Sequence, residues 1–345
     1  MDILAKAILD SQQIEARKRL GVKGIELLLL DKDFRDLDKT KEALIRIAQE
    51  WEIVALEAPD STKEYRLNPF SADSKTRVSS RDFLLRYVEL ANSVNNITKN
   101  IAYAQFQYIF DGFDDKGRPV EVDRERQLGE IREHYESLRR NSQVELQIEN
   151  ITQINPAYAD GSLCHCYTTT RPSDFPIIGT PLALDVIHLA QVLYTWLKTE
   201  PTDEDKNIAR VKIPGMPQFG GGVYIQMTDE DKKTAERIKK EQKETNLRET
   251  ITSELVRVIN FYKPLIGSLQ FANASVGFGA FPGEDGVASD TGLIDLKRVF
   301  QEAIIPANVP YVIPEYRETD WLNPLNQQNA IAMVRRLSEE YSKRE

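Results

Sequence analysis

Val144-Glu-Leu-Gln-Ile-Glu-Asn-Ile-Thr152 alternates apolar and polar side chains and delivers two polar residues, Glu149 and Asn150, near its end. Such alternation reads as a β-strand. Three later strand-like runs finish in the same way, at Asp185 with His188 just beyond, at Asn273, and at Glu315. Four polar strand ends spread over nearly half the chain become neighbours only if the fold gathers them. A parallel barrel does so, because its strands all finish on one face and functional residues collect there.

Working outward, strand-like and helix-like segments alternate, the pattern of βα repeats. Strands are expected at residues 2–9, 24–29, 53–58, 101–108, 144–152, 182–186, 268–275 and 311–316. Helices are expected at 12–20, 39–50, from Ser80 as N-cap to about Val94, and at 123–140, 187–198, 295–303 and 326–341. This is a (β/α)8 TIM barrel of one domain over residues 1–345, with long loops after strands five and six. Residues 155–180 are irregular and polar, with Pro156, Pro172 and Pro176. Residues 200–246 form an insertion or lid, with three glycines at 220–222 and a charged run at 229–244 that reads as a solvated helix. Within it, residues 214–224 read either as a substrate-gating loop or as a tolerated insertion.

Composition narrows the function classes. The chain is 41% hydrophobic and 29% charged, and its longest apolar run, Ile25 to Leu30, is broken by Glu26, so no membrane span is expected. The start, Met-Asp-Ile-Leu-Ala-Lys, lacks an export signal, which makes a cytoplasmic location the expectation. Cys164 and Cys166 are the two cysteines, too few for a disulfide framework and consistent with a reducing compartment. A net charge of −9 argues against broad phosphate-backbone binding, so no nucleic-acid partner is expected. His134, His165 and His188 are the three histidines, which leaves any metal site mostly to carboxylates. The oligomeric state stays open, a homo-oligomer included.

Four motifs carry a resemblance: Gly24-Ile-Glu-Leu27, Ile148-Glu-Asn150, Leu184-Asp-Val-Ile-His188, and Gly292-Leu-Ile-Asp-Leu296 after Pro282-Gly-Glu284. In order and spacing they resemble the xylose-isomerase-like barrel superfamily, which includes sugar isomerases and epimerases, inosose dehydratases and the metal-dependent abasic-site endonucleases. The resemblance spans essentially the whole chain. It implies a divalent metal held by a Glu on strand five, an Asp on strand six, a His on strand seven and a Glu on strand eight. Glu149, Asp185 and Glu315 match three of these; Phe271, or with a shift Gln270, stands where the histidine is expected. The implied activity is that of a metal-dependent isomerase or epimerase moving a C–H proton next to a carbonyl in a small ketose or polyol, with Glu149 and Glu315 as the proton carriers.

Three converging carboxylates repel one another, which calls for a cation or for protons, and oxygen ligands suit Mn²⁺ or Mg²⁺. His188, Asn150, Asn273 and Arg317 are the candidate substrate-binding residues, and Glu57 and Gln107 are candidates for the mouth lining. Each has a plainer reading. Asp185 with His188 is also an ordinary helix N-terminus capped by Asp185. Asn150 and Asn273 either bind ligand or close strand-end amides, and Arg317, two residues beyond Glu315, either binds substrate or pairs with Glu149 or Glu315. His165, beside the two cysteines, is a candidate for folding back to supply the missing imidazole. The alternative function is a metal-free barrel serving as a binding or scaffold protein. Endonuclease activity is disfavoured, because a histidine-rich zinc cluster cannot be built from three histidines.

Overall fold

The computed structural model describes residues 1–63, 67–109, 116–155, 164–201, 207–212, 220–274 and 292–343. Eight parallel strands close into a barrel: Asp2–Ile8, Gly24–Leu28, Ile53–Glu57, Ile101–Phe106, Glu145–Glu149, Leu182–Asp185, Ile266–Phe271 and Tyr311–Pro314. Each strand pairs with its sequence neighbours, and the first closes the ring against the eighth. All eight expected strands are present. Their alternation sends one set of side chains outward to the helices and the other into the lumen.

The base of the lumen holds an apolar cluster of Leu4, Ala55, Tyr103 and Ile313, beside a buried hydrogen bond from Ser268 to Gln147. Gly24 is required at this level: a β-carbon there would lie 2.2 Å from Leu4 Cδ2 and 3.1 Å from the Ile53 carbonyl oxygen. The outer core is larger and joins the barrel's outer face to the helices. Leu37–Ala48, for example, turns Leu44, Ile47 and Ala48 inward, each large aliphatic side chain contributing roughly 1.5–3 kcal/mol by burial.

Helix starts follow carboxylate and amide caps. Asp10, Asp36, Asp73, Asp123, Asp185 and Asn246 each accept hydrogen bonds from the first-turn amides of their helices. The third helix corrects the expected cap. It spans Ser74–Thr98 with Asp73 as cap, while Ser80 lies buried within it and accepts a hydrogen bond from the Asn68 amide. The helix expected at 295–303 is Leu296–Val299 continued by a π-turn at Phe300–Ile304 and a short turn at Ile305–Ala307.

After strand six, the helix Val186–Leu197 leads into a three-stranded antiparallel sheet, Thr199–Pro201, Ile208–Lys212 and Gly222–Gln226. A helix then spans Asp229–Gln242, with Thr228 and Asp231 forming a capping box. The sheet is tied to the segment after strand five through Gln153, whose Nε2 donates to the Gln226 carbonyl and whose Oε1 accepts from Trp196 Nε1. Below it, buried Arg171 pairs with Asp174 and Asp231. Of the gating segment, residues 213–219 lie outside the described residues, as do Pro282-Gly-Glu284 and the rest of 275–291. Among the described residues no helix is long and apolar enough to cross a membrane.

Candidate active site

Strand phase brings a charged set into the upper lumen. Lys6 on strand one is centred among three carboxylates: Glu26 on strand two at 2.9 Å, Glu57 on strand three in direct contact, and Glu315 just beyond strand eight at 3.3 Å. Glu26 also accepts from the Tyr103 hydroxyl at 2.6 Å and from Gln270 Nε2 at 3.0 Å. Burial by itself lowers the affinity of the Lys6 amine for its proton. The carboxylates of Glu26, Glu315, Glu57 and Glu149 outweigh that and hold the ammonium well above lysine's ordinary range. Burial raises Glu57 well above the usual carboxylate range, Lys6 opposing and Glu315, Glu149 and Glu26 adding to the rise.

A second cluster sits at the ends of strands five and six. Asp185 divides its two oxygens: Oδ1 caps the amides of Ile187 and His188 at 2.6 and 3.2 Å, while the other lies 3.2 Å from His188 Nδ1. The cap and the site are therefore the same residue. Glu149 Oε1 approaches the same nitrogen at 3.4 Å. His188 Nδ1 donates to the Asn150 carbonyl at 2.8 Å, and since a carbonyl can only accept, the proton resides on Nδ1. Burial disfavours the imidazolium, but Asp185 and Glu149 raise His188 well above the ordinary histidine range. Asp185 itself is pushed up to about 6 by burial, against the pull of His188. Burial likewise raises Glu149, with His188 opposing.

Glu315 is raised too, by burial first, with Lys6 opposing and Glu149 and Glu26 adding to the rise. Its side chain remains 36% exposed, so it sits at the open end of the lumen. Among the described residues, five carboxyl groups thus share the lumen with two cationic side chains. Full ionisation would leave an excess of three negative charges, which favours binding of a cation or retention of protons.

Ligand atoms from Glu149, Asp185 and His188 lie within 4.8 Å of one another. This set fits one hard divalent cation, which would compete with the His188 proton. The sequence-expected trio differs by one residue, because Lys6 holds the Glu315 carboxylate while His188 joins Glu149 and Asp185. His165 is elsewhere: it pairs with Ile154 in a two-stranded ladder, its Nε2 accepts from the Gln226 amide, and burial lowers it to about 3. Both cysteines beside it are buried.

The other expected ligand-binding residues are placed as follows. Asn150 exchanges two hydrogen bonds with the Asp185 backbone, at 2.7 and 3.1 Å, and so locks strand five to strand six. Asn273 clamps the returning chain, accepting from Ala274 and Ile294 amides and donating to the Ile294 carbonyl. Gly292 permits that return, with φ of +106° and the Ala274 carbonyl oxygen 2.3 Å from where a β-carbon would sit. Both amides take the strand-closing role. Arg317 is exposed, and strand eight ends at Pro314, so alternation no longer dictates its direction. Gln107 is half-buried past the end of strand four, and the lumen position on that strand is Gln105, whose Nε2 reaches Glu149 Oε2 at 3.4 Å.

Strand seven settles which residue replaces the expected histidine. Gln270 pairs in register with Asp185 and enters the lumen, donating to Glu26 and Glu57. Phe271 points out and packs edge-on against Phe300. Lys6 and Glu26 went unrecognised from sequence as site residues. The available signal was a charged residue inside an otherwise apolar parallel strand, where both faces are buried.

Solved structures similar to this chain include the xylose isomerase domain protein from Planctomyces limnophilus, with a TM-score of 0.57, 9% identity and coverage of 99% of this chain and 98% of that one. The IolI protein with a binding zinc atom matches with a TM-score of 0.54 and 12% identity over 99% of both chains. D-psicose 3-epimerase in the presence of D-fructose matches with a TM-score of 0.52 and 12% identity over 98% of this chain and 99% of that one. These overlaps show a xylose-isomerase-like TIM-barrel fold. No protein-family model matches the chain, and no curated protein sequence matches it.

Proposed function

We propose that the chain is a divalent-cation-dependent isomerase or epimerase that moves a C–H proton next to a carbonyl in a small ketose or polyol derivative. The observation that carries this reading is the placement of Glu149 at the end of strand five and of Glu315 just beyond strand eight, both in an upper lumen rich in carboxylates. They stand three strand positions apart around the ring of eight, so they face the lumen from different sides. A carboxylate raised towards neutrality is a competent general base, and its protonated partner a competent general acid. Glu149 takes the proton on one face and Glu315 returns it on the other, or the reverse. Gln105 orients Glu149, and Lys6 holds Glu315.

Glu149, Asp185 and His188 are the residues that would hold the cation, and their hard oxygen atoms favour Mn²⁺ or Mg²⁺. When bound, such an ion polarises the substrate carbonyl and makes the neighbouring C–H more acidic. The epimerase and the zinc-bound protein of the same fold support this reading. We take residues 1–345 as one catalytic domain, with 200–246 as an insertion within it.

A second reading rests on one specific observation. Lys6 touches Glu26, Glu57 and Glu315, and His188 touches Glu149 and Asp185, so every lumen carboxyl already has a cationic partner. That arrangement suits an ion-free barrel used for binding. The deciding experiment measures metal content after purification without chelators and after reconstitution with Mn²⁺ or Mg²⁺. Exchange of substrate C–H with D₂O is then followed by NMR across ketoses and polyols. The isomerase reading expects stoichiometric metal, and a drop of about 100-fold or more in exchange for Glu149→Gln and Glu315→Gln. Absence of metal after reconstitution, with no exchange on any ketose, would leave the binding reading in its place.

A further inference from the structure

We infer that the lumen selects an uncharged, hydroxyl-rich ligand over its phosphate ester, and that Gln105 and Gln270 are the residues that read its hydroxyl groups. This inference rests on the proposed function for the identity of the site and adds the substrate class.

Gln105 and Gln270 are both fully buried. Gln105 Nε2 donates to Glu149, and Gln270 Nε2 donates to Glu26 at 3.0 Å and Glu57 at 3.3 Å. Carboxylates accept and do not donate, so each amide must turn its nitrogen towards them. That fixes where each amide oxygen points. Among the described residues neither Gln105 Oε1 nor Gln270 Oε1 has a hydrogen-bond partner, a condition that buried acceptors rarely keep.

Most of the donors nearby are committed, the Nε2–H of a protonated His188 being an exception. The Lys6 ammonium serves three carboxylates, the Tyr103 hydroxyl serves Glu26, and His188 Nδ1 serves the Asn150 carbonyl. Among the described residues the upper lumen therefore offers more acceptor atoms than donors. A polyol or free ketose brings a donor on every hydroxyl. A phosphate dianion brings acceptors and charge, both of which the lumen already holds in excess. A site built to accept hydrogen bonds from hydroxyls also discriminates strongly against analogues that lack one, because its acceptors are then left unpaired.

The test uses the full chain loaded with Mn²⁺ and compares D-fructose with D-fructose 6-phosphate by calorimetry. The free ketose is expected to bind at least about tenfold tighter than the ester. A set of monodeoxy fructoses is then compared with D-fructose on the native chain and on Gln270→Met, with Gln105→Met as the second variant should the first fail to fold. The native chain is expected to penalise at least one deoxy sugar about tenfold or more, and the variant to lose that penalty while keeping its melting temperature near the native value. A loss of packing alone would weaken all the sugars together. Equal or tighter binding of the ester, no binding of either sugar, or an unchanged deoxy penalty in the folded variant would overturn the inference. Turnover of the ester with C–H exchange would sink it and leave the isomerase reading intact. Selective binding of the free ketose without exchange would do the opposite.

Discussion

Replacing Lys6 by methionine removes the buried ammonium while keeping most of its volume, so the change tests charge rather than packing. Three carboxylates lie within contact distance of that nitrogen, Glu26 at 2.9 Å, Glu315 at 3.3 Å and Glu57 closer still. At an effective dielectric near 20, a pair about 3 Å apart is worth roughly 5 kcal/mol before desolvation is subtracted. Burying the ammonium offsets much of this, and breaking such a buried cluster typically costs about 3–5 kcal/mol. Urea denaturation at pH 8 is expected to show that loss as a lower midpoint at unchanged slope. The pH dependence gives a sharper signature. Without Lys6 the carboxyls of Glu57 and Glu315 hold their protons more tightly in the folded chain than in the unfolded one, so the folded state binds more protons and gains stability as pH falls. Recovery should approach about 1.4 kcal/mol per pH unit for each proton taken up. A loss below about 1 kcal/mol that does not change between pH 8 and pH 5 would refute this account of the lumen. The Lys6→Met, Glu57→Gln double variant should lose less than the sum of its parts, since one unpaired carboxylate is gone.

Gly292→Ala should destabilise the chain by about 2–3 kcal/mol, because its positive φ and the Ala274 carbonyl leave no room for a β-carbon; a melting temperature equal to the native one would show that the Asn273 clamp tolerates displacement. His134 and His165, lowered by burial to about 4 and about 3, should each contribute a loss of stability as pH falls below about 6.5, against the opposite contribution of the lumen carboxyls raised by burial. Each is neutral when folded and takes up a proton when unfolded, so stability is fully present above the ordinary histidine pKa and declines by up to about 1.4 kcal/mol per unit for each histidine below it. Chemical denaturation from pH 7 to pH 5 checks this, and a His165→Gln variant with an undiminished slope would show that His165 is not the group responsible.

Much of the barrel was legible because periodicity reports burial, and burial is what the strands share. The run from Glu145 to Glu149 alternates cleanly, and its end carries the residue that sits in the lumen. Ser80 misled because a serine before an apolar stripe resembles a cap, whereas Asp73 lies nearer the true start and binds the Thr76 amide. Asp185 was legible as a cap, and its second oxygen faces His188. Lys6 was not legible. Its three partners lie 20, 51 and 309 residues away, and no local pattern relates them.

Strand order and side-chain phase are properties of the chain as written, and they sufficed for a parallel barrel whose Glu149, Asp185 and Glu315 come to one end. Which charges touch is decided by closure of the ring. Joining strand one to strand eight carries Lys6 to Glu315, and register between strands six and seven sets Gln270 beside Asp185. Electrostatic interaction falls with distance in space and is indifferent to separation along the chain. The ammonium of Lys6 at the centre of the lumen, and the imidazole of His188 that stands beside Glu149 and Asp185, therefore emerged only when the barrel closed.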